Sequence, residues 1–371
     1  MIPHLGDKVM IFPLIDALRR ENTDLEISYF TSSGGRQIES HPHIDHVYAM
    51  PQRSKGGTPV YPLFFLSILR WWNRDLRPLR FHTVVVLRGG VEPFFSHHLA
   101  WMLGGNKRVA YSTLLEPEHS ESEFGVSPLF TDEVKQMHGV HEVTRGSEVL
   151  QLAGLLHHPV DLHQPVESLL TIASSAASQS YLKELGLHNR PYAVVAPGAS
   201  AKRRAWPADR FGAVVKLELL PRGWLPVVVG GPETAEAAGI IRESAGGQVL
   251  NLTGKTTFEQ LVAICGHARC FLGNDSGTSH VAGACGTPTV IVTAFAHDSL
   301  PTHHASPLRS HPVGPFVAIL QPKKQIPPCT TECLATDVHC IGEIGVEQMA
   351  EALDDLLGKR AGSTMVHAQI S

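Results

Sequence analysis

The span from Cys270 to Val292 constrains the fold more than any other, because an apolar strand, a tight polar turn, a helix and a second apolar strand follow with almost no loop between them. Strand, helix and strand in that order are accommodated by a parallel pair joined through a right-handed crossover. The turn, Asn274-Asp275-Ser276-Gly277-Thr278, opens the helix. First-turn N–H groups have no intrahelical partner and favour an anion, and Gly277 lets a ligand come close to the main chain. Asp275 would repel phosphate but accept hydrogen bonds from hydroxyls. A ligand that carries both a phosphate and a polyol, such as a nucleotide sugar, satisfies both groups.

The same alternation fills the rest of the chain. Strands are expected at Leu25–Phe30, Val47–Met50, Thr83–Leu87 and Arg108–Tyr111, then at Tyr192–Ala196, Leu225–Val229, Val249–Leu252, Cys270–Leu272 and Thr289–Val292. Helical patterns intervene, among them Val9–Arg20, Val140–Leu156, Ala208–Leu219, Glu233–Ser244, Thr257–Cys265 and Val346–Leu357. Apolar strands alternating with helices predict an α/β protein with parallel sheets. A chain of 371 residues is long for one core. Two α/β domains are therefore expected, residues 1–165 and 191–358, with a linker at 166–190 and a flexible tail at 359–371.

A formal net charge of −4 gives no reason to expect nucleic acid as a partner. No apolar run reaches the roughly 18–20 residues that span a bilayer, and no secretory signal pattern opens the chain, so a cytoplasmic protein is expected. Cys265, Cys270 and Cys285 sit in apolar helix or strand contexts and read as reduced, buried thiols. Cys329, Cys333, His339 and Cys340 could supply four zinc ligands. Adjacent His339 and Cys340 are awkward around one tetrahedral ion, however, and the spacing matches no common zinc knuckle; a packed loop is expected. The histidine pairs at 97–98, 157–158 and 303–304 lack the i, i+4 spacing that places two ligands on one helix face. No metal and no cofactor are expected.

Four strand ends carry turns with chemistry in them. After Ala196 come Gly198, Ser200 and the cations Lys202, Arg203 and Arg204, where fixed positive charge would neutralise a diphosphate. After Val229 come Gly230-Gly231-Pro232, with Glu233 and Glu236 placed either to accept hydrogen bonds from ribose hydroxyls or to complement a helix dipole. Thr253-Gly254-Lys255-Thr256 resembles the end of a phosphate-binding loop, but the required earlier glycine falls at Val249, which excludes that motif. The fourth is the Asp275 turn, followed by His280. That histidine reads either as a packed structural residue or as part of the site.

In this order the motifs resemble glycosyltransferase family 9, the group that includes ADP-heptose:lipopolysaccharide heptosyltransferases. The residues that carry the resemblance are Gly6-Asp7 with Pro13, His141-Glu142-Val143-Thr144-Arg145, and the turn from Pro197 to Ser200 ending in Trp206-Pro207. Gly230-Gly231-Pro232, Asn251 to Thr256, and Gly273 to Gly277 with His280 complete the set. The resemblance implies a GT-B architecture, two Rossmann-like domains facing across a cleft, with the first holding the acceptor and the second an activated sugar. It implies that Asp7 is the catalytic base of an inverting, metal-independent transfer, and that Ser200, Arg204, Asp275, Ser276, Gly277, Thr278 and His280 serve the donor's phosphates and sugar. Glu233 or Glu236 would hold the nucleoside. A nucleotide-diphosphate sugar and a lipopolysaccharide-type or other glycan acceptor are the implied partners, with peripheral contact at the inner face of a membrane.

The chain departs from the family in four places. Only Met1 to Leu5 precede Gly6-Asp7, so a first strand reads as shortened. Lys8 stands where the family is apolar, Ile11 occupies a position often held by threonine, and Arg204 replaces a lysine. A non-catalytic nucleotide-sugar-binding protein, and a nucleotide-sugar epimerase, are the alternative readings.

Overall fold

The computed structural model describes residues 5–32, 36–50, 61–87, 96–112, 129–135, 141–301, 303, 306–329 and 334–368. Two compact units divide the chain, Met1–Val160 and Asp161–Ser371. Both are built from parallel strands and helices.

In the first unit helix α1 (Leu5–Glu21) buries Val9, Phe12, Leu14 and Ile15. Gly6 and Asp7 lie in its first turn. Of the expected shortened strand, Met1 to Leu5, residues 1–4 lie outside the described residues and Leu5 begins α1. Strands β1 (Ser28–Ser32) and β2 (His46–Met50) form one parallel pair, and β3 (Thr83–Val85), β4 (Lys107–Tyr111) and β5 (Asp132–Val134) form a second parallel sheet with β4 in the middle. Helices α2 (Tyr61–Trp71), α3 (Ser96–Met102) and α4 (Glu142–Leu152) accompany them. Helix α4 packs on α1 closely enough that a Cβ at Gly146 would come within 2.5 Å of Leu14 Cδ1.

The motif from His141 to Arg145 has a local explanation. His141 Nδ1 accepts from the Val143 N–H at 3.2 Å and caps α4. Arg145, 1% exposed, pairs with Glu142 at 2.8 Å and lies 4.8 Å over the Tyr111 ring. A cation so deeply buried is tolerated only because it is paired and set over an aromatic face. The motif fastens α4 to the sheet.

The second unit holds a six-stranded parallel sheet of β6 (Tyr192–Ala196), β7 (Leu225–Val228), β8 (Leu250–Asn251), β9 (Phe271–Asn274), β10 (Thr289–Val292) and β11 (Val317–Leu320). Their order across the sheet is β8-β7-β6-β9-β10-β11. This is the 3-2-1-4-5-6 order of a Rossmann sheet, and its direction of winding reverses between β6 and β9. Helices α5 (Glu167–Ser174), α6 (Ala176–Glu184), α7 (Ala208–Val214), α8 (Ala235–Ser244), α9 (Phe258–Gly266), α10 (Gly277–Ala284) and α11 (Val346–Ala368) surround it. Every residue of β6, β9 and β10 is buried, as covering both faces of a parallel sheet requires.

Helices α5 and α6 occupy most of the stretch expected as a linker. Their apolar residues Leu169, Ala173 and Leu182 are buried against α9, and the Val166 N–H donates to the Ala284 carbonyl at 2.7 Å. The final helix runs on to Ala368, beyond its expected end at Leu357. Among the described residues no helix is long and apolar enough to cross a membrane.

Candidate functional site

In an open parallel sheet ligands bind outside the carboxyl ends of the strands where the order reverses, because adjacent loops there diverge to opposite faces and leave a crevice. The reversal lies between β6 and β9. The turns after those two strands are the cationic Ser200–Arg204 turn and the Asp275–Thr278 turn.

The two turns touch. Arg204 Nη2 lies 3.4 Å from Asp275 Oδ2, and Arg204 Nη1 donates to Ser200 Oγ at 3.4 Å. The arginine side chain is 36% exposed, so its guanidinium is held over the turns and open to solvent. Ser276 Oγ and Thr278 Oγ1 are 2.8 Å apart, and Ser279 Oγ donates to the Ser276 carbonyl at 2.6 Å, which fixes the entry into α10. The arrangement presents a cation, the first N–H groups of a helix and a carboxylate within one turn-to-turn contact. That combination suits an anion with hydroxyls attached.

Asn274, fully buried and not among the residues expected at the site, holds the two turns together. Its Oδ1 accepts from the Trp206 N–H at 2.9 Å and its Nδ2 donates to the Pro197 carbonyl at 2.7 Å. Trp206 is itself buried edge-on to Phe211 at 4.8 Å between centroids and donates from Nε1 to the Ile344 carbonyl at 2.9 Å. A polar side chain closing an otherwise apolar strand was the available signal. Asn274→Ala would leave the buried Trp206 N–H and the Pro197 carbonyl without this partner. The expected loss is roughly 2–4 kcal/mol of unfolding free energy, measurable by urea denaturation.

The remaining turns adjoin the first. Thr234, 4% exposed, donates from Oγ1 to the Gly231 carbonyl at 2.8 Å. Its methyl and hydroxyl fill the space above Gly198 and Gly230, where a Cβ would come within 3.2 Å and 2.5 Å respectively. Gly230 has φ +148°, open to glycine and rarely to other residues. The Gly254 N–H donates to the Gly230 carbonyl at 2.8 Å, which brings in the turn after β8. Lys255 Nζ lies 3.3 Å from the Asn251 carbonyl and so closes its own turn.

Of the residues singled out from sequence, Ser200, Arg204 and Asp275 are in direct contact, and Ser276, Gly277 and Thr278 continue the same turn. Glu233 and Glu236 are exposed beside the Gly230-Gly231 turn, Glu233 in the 3-10 turn Pro232–Thr234 and Glu236 in the first turn of α8. The Glu233 carboxylate folds back over Gly231, where a Cβ would come within 2.3 Å of its oxygens. His280 is buried in α10 at 5% exposure, as a packed helix residue would be. Asp7 belongs to the first unit, in the first turn of α1, followed by buried Lys8. Burial lowers the Lys8 pKa, and the Asp7 charge acts in the opposite direction.

Comparison with known proteins adds to this geometry. The sequence model described as glycosyltransferase family 9 (heptosyltransferase) matches residues 74–307. Lipopolysaccharide heptosyltransferase 3 of Escherichia coli (strain K12) is 24% identical over 294 residues, covering 77% of this chain and 78% of that protein. Among solved structures, the glycosyl transferase family 9 protein from Veillonella parvula DSM 2008 superposes with a TM-score of 0.69 at 19% identity, covering 97% of this chain and 96% of its own. The E. coli ADP-heptose lps heptosyltransferase II gives 0.67 at 19% identity, covering 97% and 98%. At such identities the structures speak for the fold.

Proposed function

Because the chain belongs to glycosyltransferase family 9, we propose that it is an inverting transferase that moves a heptose from ADP-heptose onto a lipopolysaccharide core or a related surface glycan. The observation that carries the donor half is the contact between Arg204 and Asp275 at the β6/β9 reversal. In this reading Arg204 and the first N–H groups of α10 take the diphosphate, Asp275 and the hydroxyls of Ser200, Ser276 and Thr278 take the sugar and phosphate edges, and Glu233 or Glu236 takes the nucleoside. His280 supports the turn from within α10. The E. coli relatives, one a lipopolysaccharide heptosyltransferase and one named for ADP-heptose, support the choice of sugar and acceptor.

Asp7 is the base of the proposed reaction. It takes the proton of the acceptor hydroxyl as that oxygen bonds to the anomeric carbon, and the bond from that carbon to the diphosphate breaks on the opposite face. Configuration inverts. Negative charge grows on the leaving diphosphate, where fixed cationic and N–H donors stabilise the transition state more than the ground state. The supply of positive charge by Arg204 and the helix start is the reason for proposing metal-independent transfer. Acceptors of this kind are amphiphilic, so the proposal includes cytoplasmic transfer with peripheral contact at the inner membrane face.

A panel of ADP-, UDP-, GDP- and dTDP-sugars tests the donor. The ADP-sugar is expected to raise the melting temperature most, since a ligand that binds only the native state stabilises it by mass action. Transfer is expected to proceed equally well without added Mg²⁺ or Mn²⁺. If none of the four shifts the melting point and calorimetry finds no binding heat, the reading is wrong. Binding without turnover would leave a non-catalytic sugar-nucleotide binder, and an epimerised sugar formed without acceptor would leave an epimerase.

A further inference from the structure

The loop between β11 and α11 is long, with one short 3-10 turn, Cys340–Glu343, among its described residues. Long loops of this kind inside a compact unit are uncommon unless something fixes or uses them. Three side chains of this loop converge. Cys329 Sγ, His339 Nδ1 and Cys340 Sγ all lie within 4.8 Å of one another. His339 Nδ1 is 3.5 Å from Cys329 Sγ and 3.3 Å from Cys340 Sγ.

These separations match the edges of a metal tetrahedron. With metal–sulfur bonds near 2.3 Å and a metal–nitrogen bond near 2.0–2.1 Å, tetrahedral angles put sulfur and nitrogen about 3.5 Å apart. The adjacency of His339 and Cys340, awkward on paper, is resolved by the backbone. His339 has φ −138° and ψ −110°, neither helical nor extended, and the 3-10 turn begins at the next residue, so both side chains reach the same point.

The sulfur atoms are also prepared to carry charge. Cys329 and Cys340 are 5% and 2% exposed, yet each accepts a backbone N–H, Cys329 from Leu334 at 3.4 Å and Cys340 from Ile326 at 3.3 Å. Amide donors to sulfur are the outer contacts that stabilise metal-bound thiolates. The other buried cysteines differ: Cys265, Cys270 and Cys285 sit among apolar groups, and burial pushes the Cys270 and Cys285 thiols up to about 12. Those three are packing residues. A tetrahedral ion needs a fourth ligand; among the described residues no further His, Cys, Asp or Glu joins the group, and Cys333 lies outside them.

We propose that Cys329, His339 through Nδ1, and Cys340 form a structural site for a thiolate-preferring divalent transition-metal ion of the zinc or ferrous type. On binding, the two thiols release their protons to solvent and the two thiolates balance the charge of the dication. The site shares no residue with the donor turns, and its proposal does not depend on the proposed reaction. Its mechanical consequence reaches them nonetheless. The turn that follows Cys340 offers its Gly342 and Ile344 carbonyls to Arg210 Nη1 at 2.5 Å and 2.6 Å, and Ile344 also accepts from Trp206. Fixing that turn fixes Trp206, and with it the end of the Ser200–Arg204 turn.

Tag-free full-length protein, purified anaerobically without chelator, is expected to carry about one zinc or iron per chain by elemental analysis. Exchange with Co²⁺ should give the near-ultraviolet sulfur-to-cobalt band and the visible bands of a tetrahedral site. Cys329→Ser and Cys340→Ser should each lose the ion and the bands, while Cys285→Ser keeps both. The wild-type readings decide the matter even if a variant fails to fold. Protein that carries no metal above buffer and gives no sulfur-to-cobalt band overturns the proposal, as does a Cys329→Ser/Cys340→Ser double variant that retains the ion, or a Cys329–Cys340 disulfide found under the same anaerobic conditions.

Discussion

Replacing Asp7 by Asn is expected to abolish most transfer, by roughly 10²–10⁴-fold in kcat, while the donor dissociation constant stays within about twofold. Asparagine keeps the shape and hydrogen-bonding reach of the side chain but cannot accept a proton. The acceptor oxygen must then attack as a neutral hydroxyl. Because the Asp7 charge favours the ammonium form of the neighbouring buried Lys8, melting is to be recorded alongside rates, so that a loss of fold is told apart from a loss of base. A variant that folds, binds donor and still transfers at the wild-type rate would remove Asp7 from the mechanism. The donor-binding proposal for the second unit would survive that result.

The second large effect is expected at Arg204. Arg204→Ala should lower kcat/KM by about 10²–10³-fold, the range seen when one donor to a developing oxyanion is removed. The loss should fall on kcat as well as KM, since the leaving diphosphate carries more charge in the transition state than in the bound donor. Arg204→Lys should recover only part, because a lysine keeps the charge but not the planar fork that reaches Ser200 and Asp275 together. The fold should tolerate both changes. Trp206 and Asn274 tie this turn down through backbone and buried contacts that do not include the Arg204 side chain. Unchanged kcat/KM in a folded Arg204→Ala variant would mean that the diphosphate lies elsewhere.

Much of the second unit was legible in the sequence. The strands at Tyr192–Ala196 and Thr289–Val292 fall where their apolar runs place them, because a fully buried parallel strand needs an uninterrupted apolar run and little else does. Two short strands escaped. Asp132–Val134 has two acidic residues among its three, and Val317–Leu320 is a four-residue apolar run behind a proline-rich stretch, so neither carries a period long enough to read. The expected linker turned out to contain α5 and α6, whose few apolar residues become decisive only where α9 offers them a face. His280 illustrates the limit at the site itself. Its sequence context allowed either a ligand contact or a packed helix residue, and burial is a property of the whole unit.

Local sequence determined most of the segments that become strands and helices, and which turns carry cations, glycines or a carboxylate, because those properties depend on residues a few positions apart. It did not determine which turns meet. Ser200 and Arg204 reach Asp275 only because β6 lies beside β9, and Cys329 reaches His339 only because the loop folds back on itself. Neighbours in the sheet are selected by how buried surfaces pack across long separations in the chain. That selection is a sum over many weak contacts, which no single motif encodes.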